Sequence, residues 1–234
     1  MTKGAISIFP ERDRAIYNKI RAHLGKQGYK GVVSPRVLRT EAYTSNGQTE
    51  YVLSLKDNAP KLSSGANREI RLKEQDAFVF TRVRVSLLLE TIAGPLGIER
   101  IHTFNSALPF ADEVGGFQNA HLSSIYQGNL YLKVGDTVYL EDFAIEDCFV
   151  SNTQQETASL KNERHNKDGY IDLTPQFAIK GFDNNDLRFK MPNANANQKI
   201  QYAATSKVVM VYQFGGFVIT GAGTGKYDLA FANE

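Results

Sequence analysis

Four groups of residues in this chain have side chains that could do chemistry. The first is Gly221-Ala222-Gly223-Thr224-Gly225-Lys226, a glycine-rich run ending in lysine, the composition of a loop that cradles phosphate with backbone N–H groups. That motif requires glycine six residues before the lysine and Ser or Thr directly after it, and here Thr220 and Tyr227 hold those positions. Eight residues follow Lys226, too few for the helix that would carry a nucleotide site, so the run reads as a flexible glycine turn. The second group is Glu141, Asp142, Glu146 and Asp147; paired carboxylates suit glycoside hydrolysis, which needs an acid and a base across one sugar bond. Read as strand, Asp142 and Glu146 share one face and Glu141 and Asp147 the other, with no aromatic cleft around them, so solvent-facing charge or a calcium-binding loop fits better. The third group is His23, His102, His121 and His165, which lack the short spacings that bring two imidazoles onto one metal; only the fold could gather His102 and His121. The fourth is Cys148, the lone cysteine, which excludes an internal disulfide and a cysteine zinc cage and reads as a small buried hydrophobe. No catalytic set emerges, and the expectation is a protein without enzymatic activity, cofactor, metal or small-molecule substrate.

Charge is distributed unevenly over the elements that would position these residues. Residues 1–40 hold nine basic groups against Glu11 and Asp13, an excess of +7, so that a chain of net charge +2 leaves −5 on residues 41–234. A basic arm of this kind meets phosphate, an anionic membrane or an acidic patch on a neighbouring subunit. Within it, residues 10–24 predict a helix: Pro10 suits the first turn, Glu11 and Asp13 complement the positive end of the dipole, and Gly25 can close the C-terminus. Ile16, Ile20 and Leu24 form a narrow apolar stripe. The basic residues taken as the contact set, facing lipid, nucleic acid or a protein partner, are Arg12, Arg14, Lys19, Arg21, Lys26 and Lys30. The arm ends at residue 40 and a β domain fills 41–234, which deletion of residues 1–30 should leave folded.

The β domain is read from alternation. Residues 78–90 predict a long strand with Val79, Thr81, Val83, Val85, Leu87 and Leu89 on the inner face and Phe78, Phe80, Arg82, Arg84, Ser86, Leu88 and Glu90 on a more polar one. Pro35 marks an edge strand or connector, residues 49–55 a short strand, and residues 129–140 a hairpin turning at Gly135-Asp136. Residues 142–150 predict a further strand, and residues 170–182 a short one between polar, Asn-rich loops that take in 182–199. Val208–Phe214 and Phe217–Thr220 flank Gly215-Gly216, either a hairpin or a bend in one strand. About eight to ten strands with long connections point to an all-β chain, a jelly-roll sandwich or barrel, single with long loops or compactly double, with one N-terminal amphipathic helix.

The runs Ile101–Phe110, His121–Asn152 and Val208–Gly221 resemble the jelly-roll coat proteins of tailless bacteriophages in style and strand order over roughly residues 70–220. The resemblance implies a virion structural protein, made in the host cytoplasm, that assembles as homotrimers in an icosahedral capsid with other virion proteins. It implies an N-terminal helix facing an internal membrane or the packaged genome. The alternative is a virion spike or carbohydrate-binding β-sandwich, in which the loop around Tyr126 or the segment Asn184–Asn197 would touch a glycan.

Overall fold

A computed structural model describes residues 11–44, 48–57, 69–93, 97–103, 125–148, 170–191 and 206–229. Among the described residues, helix α1 (Glu11–Lys26) precedes nine strands: β1 (Val33–Tyr43), β2 (Glu50–Leu53), β3 (Ala77–Ala93), β4 (Gly97–Thr103), β5 (Asn129–Val134), β6 (Thr137–Ala144), β7 (Ile171–Lys180), β8 (Asn185–Lys190) and β9 (Ser206–Ile219). They form two antiparallel sheets. The five-stranded sheet runs β1-β9-β3, with β7 and β4 both paired to the far edge of β3, β7 along its first half and β4 along its second. The four-stranded sheet runs β2-β8-β5-β6. The chain is thus an all-β sandwich with one helix, as its alternation predicts.

The main core lies between the sheets. Phe78, Phe80, Val83, Val85 and Leu87 of β3, with Met210, Tyr212 and Phe214 of β9, meet Leu130 and Leu132 of β5 and Leu187 and Phe189 of β8. Aromatic rings fill its centre: Phe80 stacks on Phe177 at 4.7 Å and meets Phe78 and Phe214 edge-on. Such tilted and offset geometries add attraction beyond the area buried. A second apolar layer lies outside the five-stranded sheet, where Ile20 and Leu24 of α1 cover Val79, Phe217 and Ile219.

The inner face expected for β3 is half wrong. Phe78 and Phe80 face the sandwich with Val83, Val85 and Leu87, whereas Val79 faces the helix. The cause is a bulge: Phe80 pairs with Gly216 and Arg82 with Gly215, leaving Thr81 as an extra residue. One inserted residue reverses the alternation, so apolar side chains of both parities reach the same core. Thr81 is buried and its hydroxyl donates to the Gly215 carbonyl at 3.1 Å. Gly215-Gly216 is accordingly neither a hairpin nor a bend that ends a strand but the bulge's partner within continuous β9. A Cβ on Gly216 would stand 1.8 Å from the Val79 carbonyl oxygen.

Other boundaries also move. The helix runs to Lys26 and is closed by Gly28 rather than Gly25: Gly28 takes φ 73° and the Tyr29 amide donates to the Leu24 carbonyl at 3.0 Å. The strand expected over 142–150 ends at Ala144, because Asp142 adopts φ 49° and residues Glu146–Cys148 form a 3₁₀ turn that buries both Ile145 and Cys148. The polar stretch after Lys180 contains β8, an inner strand of its sheet, in which Leu187 and Phe189 alone carry the core alternation. Residue 40 falls inside β1, and removing residues 1–30 would uncover Val79, Phe217 and Ile219, so the helix is part of the folded body.

Gly216→Ala should destabilise by about 1–3 kcal/mol through overpacking, whereas Gly25→Ala, with nothing within 4 Å of its Cβ, should stabilise by up to about 1 kcal/mol; urea unfolding of both variants reads this. Burial raises the phenol pKa of Tyr126 and Tyr212 above its ordinary value. The folded state keeps both neutral where the unfolded chain ionises, so stability is intact below about pH 10 and falls above it by about 1.4 kcal/mol per pH unit per tyrosine. Among the described residues the Tyr212 hydroxyl donates to the weak acceptor Met210 Sδ, at 3.1 Å. Tyr212→Phe should therefore leave neutral-pH stability nearly unchanged and make the alkaline loss shallower.

Candidate functional site

The basic residues of the N-terminal arm do not act as one set. Helix α1 lies with Ile20 and Leu24 fully buried against the five-stranded sheet, and Ile16 and Tyr17 packed beside them. Arg12 turns inward. It pairs with Asp172 of β7 and donates to the Leu173 carbonyl at 3.1 Å and the Thr81 carbonyl at 3.5 Å. Thr81 is the bulged residue, left outside the regular ladder, and a guanidinium with donors in a fixed fork suits such a point. Beside it Asp13 lies 3.9 Å from Arg82, while Arg82 and Arg84 stack over the Tyr170 ring and Arg84 donates to Gln213 at 2.9 Å. Arg12 is therefore a clasp between helix and sheet.

The remaining members of the set, Arg14, Lys19, Arg21, Lys26 and Lys30, are exposed. Arg21 donates to the Gly31 carbonyl at 3.2 Å, which holds its stem along the helix end. No Asp or Glu occurs between Arg14 and Thr40, so this surface carries its charge unbalanced along the chain.

The fold brings a further base to it. The Gln27 side chain exchanges two hydrogen bonds with the Asp228 backbone, at 3.0 and 2.8 Å, and His23 Nε2 lies 3.1 Å from the Asp228 carbonyl. Tyr227 meets Tyr29 edge-on at 5.1 Å, and Lys226 Nζ sits 5.5 Å from the Tyr227 ring. Lys226 is exposed beside the helix C-terminus, some two hundred residues away in sequence. Local sequence carries no signal of this, because the neighbourhood is created by strand β9 returning beside β1.

The glycine run that precedes Lys226 is pinned rather than flexible. The Gly221 amide donates to Asp76 Oδ1 at 2.9 Å and the Gly223 amide to the Gln75 carbonyl at 2.8 Å, so these N–H groups already have acceptors. Gly221 and Gly225 take φ 76° and 75°, and a Cβ on Gly223 would meet backbone oxygens of Glu74 and Asp76. Each glycine is required by the turn, not by a phosphate.

The other candidates disperse. Glu141, Asp142 and Glu146 are exposed at the end of β6 and beyond it, and His102 lies on β4 opposite Leu88. His121 and His165 fall outside the described residues, as do residues 192–197 of Asn184–Asn197, whose first half is β8. Tyr126, named for a glycan contact, is buried in the sandwich core, and Asn184 accepts from Lys56 at 3.3 Å. Among the described residues no three His, Cys, Asp or Glu side chains converge as they would around a metal ion, and no helix is long and apolar enough to cross a membrane.

Comparison with protein-family models, curated proteins and solved structures finds no match to this chain. The exposed basic surface of α1 and Lys226 is thus defined by its own geometry. Arg12→Ala should cost about 1–3 kcal/mol by removing its bonds to two carbonyls and its ion pair with Asp172, whereas Arg14→Ala should stay within about 0.5 kcal/mol of the parent. Thermal unfolding of the two single variants checks the division of the arm into clasp and surface.

Proposed function

We propose that the chain is a virion structural protein, a coat subunit that self-assembles on a single jelly roll with long loops. The observation that carries this reading is the set of strand pairs β1·β9, β2·β8, β3·β7 and β5·β6. These are the rungs of one long antiparallel hairpin, folded at the β5–β6 turn, with β4 set aside as an extra strand on β3. Rolling that hairpin up adds β9·β3 and β8·β5, which are the remaining contacts of the two sheets. Rolled hairpins of this kind are the jelly rolls of capsids, lectins and cupins.

Fold alone does not choose among those functions. The choice of a coat subunit rests on the charge division, a basic helical surface on a body of opposite net charge, which suits a subunit that presents one face to a polyanion and others to neighbouring copies. The contact set in this reading is Arg14, Lys19, Arg21, Lys26 and Lys30, with Arg12 holding the helix that presents them. Its partners are further copies of the chain, other virion proteins, and a membrane or genome inside the shell.

Light scattering of the purified protein over a range of concentration and salt tests the proposal. Trimers or larger closed assemblies that respond to salt are expected. A strict monomer under every condition overturns it, and binding of that monomer to a glycan array would establish the carbohydrate-binding alternative.

A further inference from the structure

The basic surface of α1 and Lys226 has a geometry that distinguishes the kinds of anion it can meet. At 100° per residue, Arg14 and Arg21 lie on one flank of the helix and Lys19 and Lys26 on the other, each pair seven residues or about 10 Å apart along the axis. Ala15, Asn18, Ala22 and Gly25 lie between the flanks and are exposed, so no bulky side chain separates the two rows. Lys30 and Lys226 extend the surface past the helix C-terminus. Among the described residues, Asp228 is exposed beside the helix C-terminus, and Asp13 in its first turn is buried against the sheet.

A helix that lies in a bilayer interface needs a free apolar face to sink among the acyl chains. Here that face is already occupied. Ile20 and Leu24 have no exposed surface, and lifting the helix to free them would bare Val79, Phe217 and Ile219 and break the Arg12 clasp. What remains outward is charge on small residues, which can bind by electrostatics and close approach but not by insertion.

We propose that this surface binds the phosphate backbone of nucleic acid, with Lys226 as a contact residue alongside Arg14, Lys19, Arg21 and Lys26. The inference rests on the reading of the basic helix as a contact surface and selects its partner. Two rows of cations flanking an unobstructed strip follow a line of phosphates, and binding of this type is sequence-independent and falls steeply with salt.

The test is fluorescence anisotropy of a labelled oligonucleotide, single-stranded and duplex, titrated with the full-length protein across a salt series. The variants are Arg14→Ala, Lys26→Ala and Lys226→Ala, singly and combined, with Lys133→Ala on β5 of the opposite sheet as control. Each of the three should weaken binding severalfold and lower the slope of log K against log salt by about one. Lys133→Ala should bind like the parent, and unchanged thermal unfolding of every variant shows that folding is not what is read. Parent-like binding by Lys226→Ala overturns the assignment of that residue, and parent-like binding by the triple variant, or no binding by the parent, overturns the whole inference. Stronger binding to vesicles containing phosphatidylserine than to either oligonucleotide overturns it in favour of a membrane. Assembly is measured separately: a protein that forms shells without binding DNA overturns this inference alone, and one that binds DNA as a strict monomer overturns the coat reading alone.

Discussion

The single residue inserted at Thr81 governs the way β3 can serve the whole molecule. Without it, a strand with Phe78 and Phe80 turned to the sandwich would send Arg82, Arg84 and Ser86 into the same core and turn Val83, Val85 and Leu87 outward. Burying two unpaired guanidinium groups would cost far more than a bulge. The bulge lets both halves of β3 present apolar side chains inward while the outward row changes from apolar, at Ala77 and Val79, to basic, at Arg82 and Arg84. The partner strand shows the other side of the same constraint. At Gly216 the Val79 carbonyl approaches so closely that no side chain fits, and Thr81 and Arg12 supply the polar contacts that the interrupted ladder lacks.

Helix docking follows from that change of character along β3. The apolar half of the outer face takes Ile20 and Leu24, and the polar half takes the Arg12–Asp172 and Asp13–Arg82 pairs at the first turn of α1. The helix is thereby fixed in direction as well as position, with the inward-turned Arg12 and Asp13 at the N-terminal end and its exposed bases outward. At the far end, the single Tyr29 hydroxyl proton lies between the Thr220 carbonyl at 2.7 Å and the Val32 carbonyl at 3.1 Å, joining the helix to β1 and the end of β9. The basic surface is thus mounted on a rigid body. A charged face held in this way loses little conformational entropy on binding a polyanion, unlike a disordered basic tail.

A second polar network supports the opposite edge of the sheet. Residues 69–72 lie beside β1, with Arg39 and Ile70 exchanging backbone bonds at 2.7 and 2.9 Å. Glu69 accepts from Arg71, the Thr40 hydroxyl and the Glu41 amide, and Glu41 from Arg39. The carboxylates are fully buried and the guanidinium groups nearly so. Buried charge is tolerated here because each carboxylate is multiply bonded; such pairs add little net stability, but removing one partner alone is costly. The segment then reaches Asp76, whose carboxylate and carbonyl accept the amides of Gly221 and Gly181 and so fasten two turns to the start of β3.

Sequence by itself determined the class of the chain: the helix over Ile16, Ile20 and Leu24, the hairpin at Gly135-Asp136, the edge strand at Pro35 and the antiparallel β character all rest on local periodicity and turn chemistry. Those signals are carried by neighbours in the chain and survive without tertiary context. Tertiary structure decided what depends on partners distant in sequence. The bulge at Thr81 is invisible in an unbroken alternation, because which face is inner depends on the sheet across the core. Strand β8 was hidden because Asn185, Asp186, Arg188 and Lys190 outnumber Leu187 and Phe189, and only pairing with β2 and β5 makes two apolar residues sufficient. Among the basic residues, composition marked the arm but not its division. Arg12 and Arg14 are chemically alike two positions apart; their different roles follow from a helix that turns one toward Asp172 and the other to solvent, and Lys226 joins them only because β9 returns beside β1.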